Sequence, residues 1–229
     1  MSIFNYKDIY IENGLKVLEM NVLPQKYCNF DCIFCPIGRS PEKIDEQKNF
    51  EKNNESIVEL ENILKNNDID LVFINSKGEA LINNKIIDII TLIKNNGIHV
   101  KLLSNGYILN TEPYKTIANS CDQIIGEIKV SSDEDFQKIQ RPIKGYTLEQ
   151  HVINMSEFQK QYKGLFILEI TIINGYNNDN KSIEKTKNII KKIEPDKIII
   201  TRINDEPFNR KLGLTDSEFE KISKEILSI

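Results

Sequence analysis

The 229-residue chain has no tryptophan, two histidines and four cysteines. So few cysteines exclude a disulfide scaffold, which would spread more of them over a shorter secreted chain. No apolar run reaches the ~18 residues that a membrane-crossing helix needs. Residues 1–10 lack the basic flank and apolar stretch of a secretory leader, so the expected location is cytoplasmic. An excess of positive charge is also missing. The 30 Lys and Arg stand against 34 Asp and Glu, a formal net charge of −4, whereas nucleic-acid binders are usually basic. Linkers and repeats are absent, and the seven prolines and ten glycines are scattered as punctuation. What remains is 40% hydrophobic and 28% charged, enough for a continuous core and incompatible with global disorder.

Strand-like and helix-like segments alternate. Apolar, β-branched runs at Leu15 to Leu23, Asp70 to Asn75, His99 to Ser104, Gln123 to Val130, Leu165 to Ile173 and Lys197 to Ile203 predict strands buried on both faces. Between them, apolar residues recur three and four apart. Ile57, Leu60, Ile63 and Leu64 form one stripe, Ile86, Ile89, Ile90 and Ile93 another, and Leu148, Val152, Met155 and Tyr162 a third. Pro113 suits a first helical turn, Gly97 a helix stop, and Thr215-Asp216-Ser217-Glu218 a capping box stapled by Leu214 and Phe219. Six strands, each followed by a helix, are expected, with a long insertion over residues 24–55. Periodicity leaves open whether they form a doubly wound sheet or part of a TIM-like barrel. Both designs put chemistry just after the strands.

After the first strand, Cys28, Cys32 and Cys35 form C-x3-C-x2-C. Structural zinc and electron-carrier clusters each want four protein ligands. Cys121 lies far along the chain, before the fourth strand, and reads as a small buried hydrophobe. The loop therefore offers three thiolates and leaves one coordination position open. The alternative is a zinc site completed by His99 or His151. The first begins a strand and the second lies inside a helix, so neither is placed to reach the loop.

The run Tyr27-Cys28-Asn29-Phe30-Asp31-Cys32-Ile33-Phe34-Cys35-Pro36-Ile37-Gly38-Arg39 resembles the signature of the radical SAM superfamily. In that family the three cysteines hold three irons of a [4Fe–4S] cluster, and S-adenosylmethionine chelates the fourth. Phe34, just before the third cysteine, is then implied to pack near the adenine. Ser76-Lys77-Gly78-Glu79-Ala80 is by itself a solvated turn. Beside the cluster it resembles the family's Gly-Glu-Pro motif, which implies that Gly78 and Glu79 receive the methionine ammonium, with Ala80 in place of the proline. Ser104-Asn105-Gly106 reads either as a plain Asn-Gly turn or, by resemblance, as the Ser-Asn-Gly found near the ribose and sulfonium. In Glu127-Ile128-Lys129 an acid and a base share one face of a strand. Either that strand end lies in solvent, or the pair is buried and compensated by pairing or by a ligand, with Lys129 meeting the cofactor's carboxylate.

The run from Phe136 through Ile139-Gln140-Arg141-Pro142 and Gly145, then Tyr162-Lys163-Gly164, Leu168-Glu169 and Gly175-Tyr176-Asn177, is similar to the branch related to wyosine-tRNA synthetases. The similarity spans about residues 15–208. It implies that Arg141 reaches cofactor or substrate, and that Asn174 and Asn177 lie on the adenosine side. Glu127-Ile128-Lys129 replaces that branch's Ser-x-Asp and is closer to the Asp-x-Lys of glycyl-radical activating enzymes. No cysteine is spare for a second cluster. Both departures, with the acidic net charge, argue against tRNA as substrate.

The resemblance implies a single domain over residues 1–229, a partial (β/α)6 TIM-like barrel with parallel strands. Its core would run over about residues 15–208, capped by a C-terminal helix at about 215–229. It also implies reductive cleavage of S-adenosylmethionine to a 5′-deoxyadenosyl radical that abstracts hydrogen from an unidentified small molecule, nucleoside or peptide. A flavodoxin or ferredoxin would supply the low-potential electron. The alternatives are a glycyl-radical enzyme activase acting on a partner protein, and a non-catalytic iron–sulfur or zinc protein.

Overall fold

The computed structural model describes residues 2–229. Six parallel strands carry the molecule: β3 (Leu15–Asn21), β4 (Leu71–Ile74), β5 (His99–Leu103), β6 (Gln123–Ile128), β7 (Leu165–Ile172) and β8 (Lys197–Arg202). All six coincide with the predicted runs. Two short strands precede them, β1 (Asn5–Tyr6) and β2 (Tyr10–Glu12), and both pair antiparallel with β3. The helices are α1 (Asn53–Asn66), α2 (Ile86–Asn95), α3 (Tyr114–Ala118), α4 (Asp133–Asp135), α5 (Leu148–Gln159), α6 (Asn180–Ile193), α7 (Glu206–Leu212) and α8 (Asp216–Leu227). A π-helical turn, Phe136–Gln140, continues from α4.

Strand order decides between the two designs left open by periodicity. The sheet runs β1-β3-β4-β5-β6-β7-β8. From β3 onward every strand neighbours its successor, with no reversal. A doubly wound sheet would reverse at a switch point, whereas a barrel winds in one sense. Among the described residues β8 pairs only with β7, so the barrel stays open on that side.

One face of the sheet turns outward onto the helices. Leu18, Met20, Val72, Ile74, Val100 and Leu102 are buried there, together with Leu60, Ile86, Ile90 and Ile93 from the predicted stripes. The other face turns inward and is more polar. Register sets Glu19, Phe73, Lys101 and Gln123 in one row, and Glu127, Glu169 and Ile199 in a row nearer the strand ends.

The helix ends follow the predicted chemistry. Thr215 and Glu218 form the capping box of α8, and Gly97 follows α2 at φ +73°. Helix α5 stops at Gln159, short of Tyr162. Tyr162 is nevertheless buried, and its hydroxyl donates to the Cys121 carbonyl at 2.9 Å. Cys121 is itself 4% exposed, as a small apolar filler should be.

Candidate functional site

The cysteine loop leaves the end of β3 and is fastened at two points. Phe30, 1% exposed, inserts edge-on against Phe136, Tyr107 and His151, with ring centroids 5.4–6.1 Å away. Asp31 is the polar anchor. Its carboxylate takes the Arg39 guanidinium and the Ser40 amide (2.8 Å) and lies 4.0 Å from the Lys26 ammonium. Burial works against that charge, but these partners hold the Asp31 carboxyl below its ordinary range. Between the anchors, the Cys35 amide donates to the Cys32 carbonyl (3.3 Å) and the Gly38 amide to the Cys35 carbonyl (2.9 Å). These turns bring Cys28, Cys32 and Cys35 to one cavity of about 540 Å³.

Burial pushes the Cys28 thiol well up and the Cys32 thiol up to about 12, so loading with metal must release protons. Among the described residues no three His, Cys, Asp or Glu side chains, these three thiols included, are drawn close enough to hold a single metal ion. Neither histidine borders this cavity. His99 is exposed, and His151 is buried with its Nε2–H donated to the Asn105 carbonyl at 2.7 Å. Three soft thiols on one loop, with no fourth cysteine and no histidine on the cavity wall, fit the three-iron attachment of a [4Fe–4S] cluster better than a closed zinc site.

Two further loops close on the cysteines. Gly78 lies against Tyr27 so tightly that a Cβ would sit 2.0 Å from the Tyr27 carbonyl oxygen, and its φ is +143°. Only glycine fits there. Glu79 follows, 1% exposed, and does not face the cavity. Its carboxylate accepts from Ser104 Oγ (3.0 Å), the Asn105 amide (2.9 Å) and the Leu81 amide (3.3 Å). Burial raises its carboxyl to about 7 despite these bonds. Glu79 and Ser104 thus brace the loop after β4 to the loop after β5 from behind. Asn105 does face the cavity. Its Nδ2 donates to Asn29 Oδ1 (2.6 Å) and approaches Cys28 Sγ at 3.8 Å.

The far wall comes from β6, β7 and β8. Lys129 pairs with Glu127 at 2.7 Å, and its ammonium lies 5.6 Å from the Phe34 ring centroid. Burial disfavours the Lys129 charge, yet Glu127 keeps its pKa above the ordinary value. Glu169 stands beside them, its carboxyl raised by burial and by Glu127. Among the described residues its side-chain hydrogen-bond partner is Thr201 Oγ1 at 3.3 Å.

Of the residues singled out from sequence, Cys28, Cys32, Cys35, Phe34, Gly78, Asn105 and Lys129 border the cavity. Arg141, Asn174 and Asn177 do not. Arg141 sits just behind the rim in left-handed conformation, φ +46°. Asn174 is exposed, and its side chain accepts from Asn178. Asn177 is buried and donates to the Lys129 and Thr171 carbonyls at 3.1 and 2.8 Å, tying the ends of β6 and β7 together. Sequence reasoning missed Lys26, Asn75, Gln140, Thr171, Thr201 and Arg202 on the wall. Asn75, Thr201 and Arg202 lie at the ends of predicted strands, where the strand-end rule could have found them. Gln140 lies inside the run Ile139-Gln140-Arg141-Pro142 without a role assigned there, and no local motif marks Lys26.

A family model described as the Radical SAM superfamily matches residues 22–188, well over half of the chain. The chain is 27% identical over 210 residues to a GTPase Obg of Brachyspira hyodysenteriae, covering 90% of this chain and 31% of that protein. It is 25% identical over 185 residues to a UPF0026 protein of Methanocaldococcus jannaschii, covering 80% of this chain and 58% of the relative. It therefore spans less than two thirds of the length of either relative. A solved structure of TYW1 with a lysine-pyruvate adduct bound superposes with a TM-score of 0.70 at 16% identity, covering 93% of this chain and 74% of that one, which shows a shared fold. On the family match and the cysteine loop together, the chain belongs to the radical SAM superfamily.

Proposed function

We propose that this chain is a radical SAM enzyme, with Cys28, Cys32 and Cys35 holding a [4Fe–4S] cluster. When bound and reduced, that cluster supplies one-electron cleavage of S-adenosylmethionine and hence hydrogen-atom abstraction from a substrate. The observation that carries the reading is the set of three thiols bordering one cavity with no fourth cysteine and no histidine on its wall.

The chain's own residues bind, orient and shield. Lys129, held charged by Glu127, offers its ammonium to a carboxylate. The buried Phe34 ring gives an apolar face for the adenine. Gly78 lets the loop backbone approach the cysteine loop, and its carbonyl is free for an ammonium. Glu79 and Ser104 hold Asn105 at the cavity edge. Arg141, Asn174 and Asn177 act from behind this wall, Asn177 by tying the ends of β6 and β7. The open side beyond β8 admits the substrate, a small molecule, nucleoside or peptide. An acidic chain with no cysteines for a second cluster does not suit tRNA. The reductant is a flavodoxin or ferredoxin and the location cytoplasmic, in keeping with no described helix being long and apolar enough to cross a membrane. Residues 1–229 act as one domain.

The test is anaerobic incubation of reconstituted, dithionite-reduced protein with S-adenosylmethionine. Release of 5′-deoxyadenosine is expected, and its absence would leave only a binding role. The Glu127–Lys129 pair at the cavity also favours a second reading, activation of a glycyl-radical partner protein. A glycyl-radical EPR signal raised on such a partner would select it.

A further inference from the structure

Glu127 on β6 and Glu169 on β7 are register partners, set side by side on the inner face of the barrel. Like charges directly opposite each other destabilise a sheet. Lys129 answers Glu127 at 2.7 Å. Among the described residues no lysine, arginine or histidine forms an ion pair with Glu169. Its Oε1 accepts from Thr201 Oγ1 at 3.3 Å, while its Oε2 has no hydrogen-bond partner and is not sealed from solvent. The side chain is half-buried and borders the cavity. The other cations on that wall are committed elsewhere. Lys26 donates to the Gly38 carbonyl beside Asp31. The Arg202 guanidinium turns to the Leu214 carbonyl (3.2 Å) and to Asp216. Asp205, exposed at the rim, adds a second acid.

Packing does not account for a carboxylate at this place. Glutamine would keep the Thr201 bond without a charge, and Ile199 fills the neighbouring position of the same row. A half-buried charge without a counter-ion costs stability. Burial and Glu127 both raise the Glu169 carboxyl, and a cation in the cavity would act in the opposite direction. Position separates Glu169 from the cofactor side. The groups read as holding the cluster and S-adenosylmethionine lie after β3, β4, β5 and β6. Glu169, Thr171 and Thr201 come from β7 and β8, next to the open side of the barrel.

We propose that Glu169 is a substrate-specificity residue, and that the substrate presents a protonated amine to its free Oε2. An ammonium carries three donors and no acceptor. It matches a wall that offers a carboxylate and, beside it, the Thr171 and Thr201 hydroxyls, 3.2 Å apart. The inference rests on the reading of this cavity as the site of a S-adenosylmethionine-cleaving enzyme, and it narrows the substrate to an amine.

The experiment loads reconstituted wild-type protein and Glu169→Gln with S-adenosylmethionine. Calorimetry then measures binding of pentylamine, pentanol and pentanoate, which share a carbon chain and differ in charge. Acetyl-lysine methylamide, in the same series, shows whether the amine belongs to a peptide or to a free small molecule. Wild type should bind the amines about tenfold or more tightly than pentanol or pentanoate, the worth of one charge-assisted hydrogen bond. Glu169→Gln, of nearly the same shape, should lose that preference. Wild type that binds S-adenosylmethionine but shows no preference for amines would overturn this assignment alone. So would a variant that weakens all the probes together, which is what a structural role gives. A variant that weakens S-adenosylmethionine as much as the amines would put Glu169 on the cofactor and overturn the assignment too. Wild-type protein that binds no S-adenosylmethionine at all would overturn the proposed function along with it.

Discussion

Two buried titratable side chains flank the Ser104–Gly106 turn, and they respond to pH in opposite senses. Burial lifts the Glu79 carboxyl from 4.5 to about 7. Burial likewise lowers His151 from 6.5 to about 4. Folded Glu79 holds its proton where the unfolded chain would lose it, so its contribution is complete below pH 4.5 and is lost as pH rises through 7. Folded His151 refuses a proton that the unfolded chain would take, so its contribution is complete above pH 6.5 and is lost as pH falls toward 4. Displacements of this size correspond to about 3 kcal/mol each. In urea unfolding of metal-free protein between pH 4.5 and 8, Glu79→Gln should gain stability relative to wild type as pH rises, and His151→Asn as pH falls. Parallel pH curves for all three proteins would contradict these environments. The thiols give a cleaner contrast. Cys32→Ala should abolish iron retention and S-adenosylmethionine cleavage, whereas Cys121→Ala, remote from the cavity, should keep both when iron is assayed. The cysteine spacing was legible because its ligands lie on one short stretch. The bracing role of Glu79 was not, because the loop it braces, at Ser104 and Asn105, lies some 25 positions later.

Strands and helix caps were legible wherever a local rule sufficed. Strands β3 to β7 are largely buried on both faces and so read as continuous apolar runs; β8, expected to be the same, is at most half-buried along its length because it lies at the open edge. The antiparallel β1 and β2 escaped notice because two or three residues carry no periodicity. One signal was there: Asn13-Gly14 is the favoured two-residue hairpin turn, and both residues have positive φ. The turn over Phe136–Gln140 was read only as a sequence likeness, and its π-helical geometry follows no local rule. Gly78 tests how tightly the loop after β4 must approach the cysteine loop. Gly78→Ala would meet backbone rather than a flexible side chain, so it should destabilise by about 2 kcal/mol or more and lower cluster retention. A chemical melt together with the iron content of the purified variant measures both. At the other end of the chain, Thr215→Ala removes the capping box of α8 and should cost about 1 kcal/mol with iron content unchanged.

Consecutive strand order, with β8 paired on one edge only among the described residues, makes the molecule an open barrel with three cysteines at its strand ends. Sequence periodicity could not distinguish that winding from a doubly wound sheet, because order in a sheet is set by which crossovers pack and not by any one segment. The strand-end rule nonetheless held in three dimensions. The loops after β3, β4 and β5 and the ends of β6, β7 and β8 all contribute to one cavity, although their residues span most of the chain. The open metal position is the feature on which the functional reading depends. The most direct measurement is EPR spectroscopy of anaerobically reconstituted, reduced protein, with iron quantified in the same sample, before and after addition of S-adenosylmethionine. About four irons per chain and a reduced-cluster signal that shifts when S-adenosylmethionine is added are the expected result. Protein without iron, or a cluster signal indifferent to S-adenosylmethionine, would contradict it.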